Sequence, residues 1–168
     1  DTISSLGDLD NTNGLLQALN GNMLLKFSNM KGNNSTISAN DINLVLNSLN
    51  STNFTALATN GNLSINSNLD TNLSGSYLEA KSGLLNLSSN QGNLNLINSI
   101  SIGNNINLSA NSIFLKGDVQ DANSMLYSTN DININSDDFS STNFITQASN
   151  NVNITSSNIS LNNSKIQS

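Results

Sequence analysis

The groups that could do chemistry in this chain are almost all carboxylates, and there are few of them. The 168 residues hold ten Asp and one Glu against five Lys, with no Arg, His or Cys. The one adjacent pair is Asp137-Asp138. Two carboxylates facing a groove could act as acid and base on a glycosidic bond, or hold a cation. Sugar lyases typically use Arg or Lys as the base, and no His, Cys or Arg supports the pair. Glu79 stands alone. Without such support, Asp137 and Asp138 read as solvated acids, as charge clusters usually do. They are expected beside an insertion in the repeat described below.

Calcium needs several oxygen ligands at fixed spacing. Asp118 and Asp121 beside Gly117 are the best candidates. The Gly-Gly-x-Gly-x-Asp nonapeptide of calcium-binding β-rolls is absent, and a Gly-Asp turn explains the cluster equally well. The reading is therefore of a protein that is not an enzyme, with no catalytic residues, no cofactor-binding residues and no metal site.

Asn-x-Ser/Thr recurs at Asn33, Asn34, Asn50, Asn53, Asn62, Asn72, Asn86, Asn107, Asn153, Asn158 and Asn162. Asn62, Asn86, Asn107 and Asn153 are the candidate glycosylation sites. An Asn- and Ser-rich sequence also generates the pattern by composition alone. Thr-x-Thr, the motif of ice-binding solenoids, does not occur. Phe54, Tyr77, Phe114, Phe139 and Phe144 fall at strand positions and are expected in the core or at corners, not on a ligand platform.

The elements that would position these residues follow from a strong bias. Asn occurs 37 times and Ser 29 times, with no Pro or Trp. Such a bias suits either a disordered tract or a stacked repeat. Disorder requires low hydrophobicity or high charge; 36% of the residues are apolar and the net charge is only −6, which favours the repeat. Five Lys without Arg do not make a phosphate-tracking surface, so no nucleic-acid partner is expected. No apolar run reaches the roughly 18 residues of a membrane helix, and no signal-peptide pattern follows Asp1.

An apolar–polar–apolar unit recurs as Ile42-Asn43-Leu44, Leu63-Ser64-Ile65, Leu85-Asn86-Leu87, Ile106-Asn107-Leu108, Ile132-Asn133-Ile134 and Val152-Asn153-Ile154. The steps are 21, 22, 21, 26 and 20 residues. Leu94-Asn95-Leu96 and Ile159-Ser160-Leu161 read as second strands within a turn. Shifting the chain by 90 positions superposes Ser51-Thr52-Asn53-Phe54 on Ser141-Thr142-Asn143-Phe144, and gives 14 identities over the 41 positions from Asn20 to Asn60. Composition alone would give roughly five.

Period-two alternation puts Ile42 and Leu44 on one face and Asn43 on the other. Strands this short are not stable alone, so the pattern predicts an all-β, right-handed parallel β-helix of about eight coils of about 21 residues. Inward Leu, Ile, Val and Phe would form continuous ladders, and outward Asn would stack amide on amide. Asn13-Gly14, Asn20-Gly21 and Asn60-Gly61 are expected at left-handed corners. The competing fold is an antiparallel meander, for which Asn-Gly is a hairpin signal; the spacing of about 21 residues argues against it. Residues 1–168 are expected to form a single β-helical segment, a fragment of a longer rod.

Coils of about 20 residues, with Gly-Asn or Asn-Asn before the strand, resemble the filamentous haemagglutinin repeats of bacterial two-partner-secreted exoproteins. Those exoproteins include adhesins and contact-dependent inhibition effectors. The resemblance rests on Asn60-Gly61-Asn62-Leu63-Ser64-Ile65, Gly92-Asn93-Leu94-Asn95-Leu96, Asn104-Asn105-Ile106-Asn107-Leu108 and Asn150-Asn151-Val152-Asn153-Ile154, and covers about Asn20 to Leu161. It implies an extracellular shaft on the outer surface of a Gram-negative bacterium, exported by an outer-membrane transporter and projecting an adhesive or effector tip towards a receptor. The chain departs from the family in having no Asn-Pro motif of the secretion domain, and in being poorer in Gly, Ala and Thr. Two other functions fit a β-helix: a carbohydrate-active or carbohydrate-binding protein, and an extracellular fibre assembled by end-to-end self-association.

Overall fold

The computed structural model describes residues 2–119 and 124–168. Among these residues there are eighteen strands and no helix, and every pairing is parallel. The chain winds into a β-solenoid of eight coils, each with three faces. Face A contains Thr2–Ser4, Met23–Lys26, Ile42–Leu46, Leu63–Ser67, then 84–89, 105–110, 132–136 and 152–156. Face B runs from Leu9–Asp10 through Asn29–Lys31, Ser48–Thr52 and Thr71–Ser74 to 158–162. Face C runs from Leu15–Gln17 through Thr36–Ala39 and Thr55–Ala58 to Lys165–Gln167. At about 4.8 Å per coil the rod is about 38 Å long.

The six units found in the sequence all lie on face A in one register: Ile42, Leu63, Leu85, Ile106, Ile132 and Val152 stack in a single column. Beside it run Leu44, Ile65, Leu87, Leu108, Ile134 and Ile154. Leu87 is fully buried because a coil covers it on both sides. Leu94-Asn95-Leu96 and Ile159-Ser160-Leu161 are face B strands of the same coils. The long step from Ile106 to Ile132 has its extra residues at the corner between faces B and C. Nine positions separate Lys116 from Met125, where three separate the equivalent Ile97 and Ile100.

Outward asparagines form amide ladders along the rod. Asn133 Nδ2 donates to Asn107 Oδ1 at 3.1 Å, Asn153 Nδ2 to Asn133 Oδ1 at 2.9 Å, and Asn95 Nδ2 to Asn72 Oδ1 at 2.6 Å. In each case the later coil donates to the earlier one. Carboxylates join the same scheme, with the backbone N–H of Asn62 donating to Asp41 Oδ1 at 2.7 Å and that of Asn93 to Asp70 Oδ1 at 2.8 Å.

The left-handed corners differ from expectation. Positive φ occurs at Asn13, Asn34, Asn53, Asn98, Asn143 and Asn163, and at Gly75. These form one column between faces B and C, in which Asn34 donates to Asn13, Asn53 to Asn34 and Asn163 to Asn143. Only Asn13 is followed by Gly; Asn20-Gly21 and Asn60-Gly61 turn at another corner without positive φ. Asn is selected here because it tolerates the left-handed region and its amide joins the ladder. Gly75 takes the same conformation within the column, so Asn98→Gly should be nearly neutral. Asn98→Val should cost about 1–2 kcal/mol, read as a shift in the denaturant midpoint.

The interior is also less uniformly apolar than the alternation suggests. Ser35, Ser51, Ser76, Ser99, Ser124 and Ser141 are buried. Most are satisfied locally: Ser76 Oγ accepts from the Phe54 N–H at 3.3 Å and Ser99 Oγ from the Ser76 N–H at 3.1 Å. Thr146 is an exception. It lies in the face C ladder beside Leu126 and Ile166, and its hydroxyl has no partner. A buried hydroxyl without a hydrogen bond is destabilising, so Thr146→Val should raise stability by about 1 kcal/mol, seen as a higher melting temperature.

Candidate functional site

The acidic candidates do not converge. Asp137 and Asp138 are exposed at the corner between faces A and B of the seventh coil. Ser112 and Asn158 flank Asp138 in register. They do not adjoin the insertion, which lies at a different corner of the preceding coil. Asp138 is engaged in the polar ladder, its Oδ1 accepting from Asn158 Nδ2 at 2.8 Å. The nearby depression of about 210 Å³ is lined by Ser89, Asn90, Asn111 and Asp137 among others. An amide-lined hollow with one carboxylate offers no second acid across a sugar.

Glu79 lies outward on face C, where Tyr77 Oη donates to its carboxylate at 3.1 Å. Partial burial raises the Tyr77 phenol above its ordinary range, and the hydrogen bond to Glu79 adds to that rise. Asp118 lines a depression of about 340 Å³ with Asn98, Lys116 and Asn143. Asp121, its suggested partner for calcium, lies outside the described residues. Among the described residues no three His, Cys, Asp or Glu side chains cluster as a metal site would require.

Two further depressions lie on the first coils. One, about 490 Å³ on face B of the first coils, is lined by Asp8, Asp10, Asn29, Lys31 and Asn50 among others. The other, about 520 Å³ on face A, is lined by Asn22, Asp41, Asn43 and Asn62 among others. Asp10 is held below the ordinary carboxylate range, first by hydrogen bonding to the Thr12 side chain, then by the Thr12 backbone, and less by Lys31. The Thr12 N–H donates to Asp10 Oδ1 at 2.9 Å. Both depressions are shallow troughs of the Asn/Ser surface and carry no nucleophile–base pair.

The sequon asparagines are mostly ladder members. Asn86 Nδ2 donates to Asn66 Oδ1 at 3.2 Å, Asn107 accepts from Asn133, and Asn153 donates to Asn133. Asn62 is exposed, with its Oδ1 accepting from the Leu84 N–H at 2.8 Å. Attaching a glycan to Asn86 or Asn153 would replace one of the two Nδ2 hydrogens and leave a single donor for the inter-coil ladder. Among the aromatics, Phe54, Phe139 and Phe144 are fully buried, as expected. Tyr77 and Phe114 instead point outward, Phe114 being 42% exposed. On strands that pair on both sides, their parity in the alternation decides this, not their hydrophobicity.

The class the fold defines is a three-faced parallel β-solenoid whose outer surface is largely an amide and hydroxyl lattice. Comparisons with protein-family models, curated proteins and solved structures find no match for this chain.

Proposed function

We propose that this chain is a length of shaft in a secreted surface protein of a Gram-negative bacterium. It would be exported through an outer-membrane transporter of the two-partner type, and would hold an adhesive or effector tip away from the cell. The observation that carries the reading is the continuity of pairing. Strands on all three faces pair in register from the first coil to the eighth, so bending the rod would strain a ladder on every face. In repeat proteins each coil contacts only its neighbours, which gives length and stiffness without a large globular core. An outer surface of Asn and Ser is well hydrated and keeps most of the sheet face solvated.

The test is made in the bacterium that produces the protein. Antibody raised against these coils should label intact cells, and labelling should disappear when the cognate outer-membrane transporter is deleted. Labelling seen only after permeabilisation would overturn the proposal. Glycosylation of Asn62, Asn86, Asn107 and Asn153 is part of the same reading. Intact-mass analysis of native material should then show added saccharide mass, and an unshifted mass would remove that part.

A further inference from the structure

The outward surfaces of the three faces differ in kind. On face A the main outward column runs Asn43, Ser64, Asn86, Asn107, Asn133 and Asn153. On face C the two outward columns centre on Tyr77, Ile100 and Met125, and on Glu79, Ile102 and Tyr127. Leu57 and Ile145 extend them by a coil on either side. All eight side chains are partly exposed. A solvated sheet face is normally polar outward, and Asn and Ser make up 66 of the 168 residues of this chain. A contiguous apolar outer surface marks an interaction site.

We propose that face C is the contact surface of a side-by-side dimer of this chain, with the two rods antiparallel. The occupant follows from shape, symmetry and area. The centre of face C is a regular ladder of four-residue strands, so another flat sheet fits it better than a peptide or small ligand. Sheets stack face to face at about 10 Å.

The pattern is also self-complementary. A twofold axis along the strand direction through Ile100 and Ile102 places each of these residues against its own copy. It places the coil of Tyr77 and Glu79 against that of Met125 and Tyr127. Tyr77 then meets a thioether, a favourable partner for an aromatic ring. The Glu79 carboxylate, the only charge in the outward columns apart from Lys165 of the last coil, meets a phenolic donor. Seven coils by four residues give a footprint of about 34 by 13 Å, or about 900 Å² over both copies. That is the size of a weak, reversible interface. The inference goes beyond the shaft proposal and does not depend on it.

Sedimentation equilibrium of the 168-residue chain, from micromolar to millimolar, tests it. Dimer should form with concentration, and Ile102→Lys should weaken it at least about 100-fold, because two like charges then meet on the axis. Asn107→Lys on face A should leave the constant unchanged. Circular dichroism reports whether Ile102→Lys folds; if it does not, Tyr127→Phe, which removes only the donor to Glu79, should weaken the dimer about 10-fold. A chain that stays monomeric throughout overturns the proposal. So does association that survives these face C changes but is abolished by Ile159→Lys, which would assign it to coils stacking end to end.

Discussion

Phe144→Ser is expected to lower the unfolding free energy by about 3–5 kcal/mol, and adding Ser141→Leu to it should restore more than half of that stability. The reason lies in the corner between faces B and C, where coils without the insertion place two inward positions three residues apart. In most later coils these are Leu and Ser: Leu73 with Ser76, Leu96 with Ser99, Leu161 with Ser164. In two coils the order of sizes is reversed, to Ser51 with Phe54 and Ser141 with Phe144. Ser51, Phe54, Ser141 and Phe144 are all essentially inaccessible to solvent.

The two arrangements fill the same space with one large and one small side chain, which is how a close-packed interior accommodates variation. Removing the Phe alone leaves a cavity. Placing Leu at position 141 alone overfills the corner, for which about 1–3 kcal/mol is expected. Together the changes recreate the corner of the fourth and fifth coils, and the hydroxyl introduced at position 144 takes an acceptor position like that of Ser99 towards the Ser76 N–H. Replacing Ser141 also removes its hydrogen bond to Ser164 Oγ at 2.9 Å, a small effect because Ser164 Oγ itself donates to the Asn162 carbonyl. Urea unfolding of the two single variants and the double variant measures the coupling. Additive destabilisation would contradict compensation at the corner.

Deleting residues 44–133 is expected to leave a folded rod of half the length. The cut joins Asn43 to Ile134, so Ile42 and Asn43 replace their column equivalents Ile132 and Asn133 four coils later. Every ladder downstream then meets its proper column, because each coil touches only its neighbours. Deleting residues 44–134 instead removes 91 positions and puts Asn135 where the inward column of Leu44 and Ile134 requires an apolar side chain. One misplaced residue already reverses inward and outward sides. Far-ultraviolet circular dichroism should show cooperative melting of the 90-residue deletion and a much lower melting temperature for the 91-residue one. Equal behaviour of the two would mean that the period has no structural meaning.

How much of this is legible in the sequence depends on the contrast between inward and outward residues. On face A, Leu or Ile alternates with Asn or Ser, so the column from Ile42 to Val152 and its spacing can be read directly. Face C has no such contrast. Tyr77–Ala80 and Met125–Ser128 carry large residues outward as well as the buried Leu78 and Leu126 inward, and Thr55–Ala58 has Leu57 outward between inward Ala56 and Ala58, so neither their strands nor their shared face stands out. The left-handed corner is hidden for another reason. Asn is so abundant that Asn53 or Asn98 is marked only by its place in a column, and of the three Asn-Gly pairs only Asn13-Gly14 lies there. The insertion is visible as a long step, but a step length does not say which of three corners absorbs the extra residues. Asp137 and Asp138 read as its neighbours for that reason. Chemistry-bearing residues are few enough to enumerate, and their separation in space follows from the coil positions they occupy.

The claim on which all this rests is that residues about 21 apart are neighbours across parallel strands. The chain has no cysteine, so engineered pairs report it cleanly. Asn86 and Asn107 face outward and pair in register on face A, with Cα atoms expected about 4.8 Å apart, inside the range a disulfide spans. Asn86 and Asn95 lie on different faces of the solenoid, but would face each other in a hairpin turning at Asn90-Gln91. Under mild oxidation at low protein concentration, the Asn86→Cys/Asn107→Cys chain should close an intramolecular disulfide, and the Asn86→Cys/Asn95→Cys chain should keep free thiols. Closure of the second pair and not the first would contradict the solenoid.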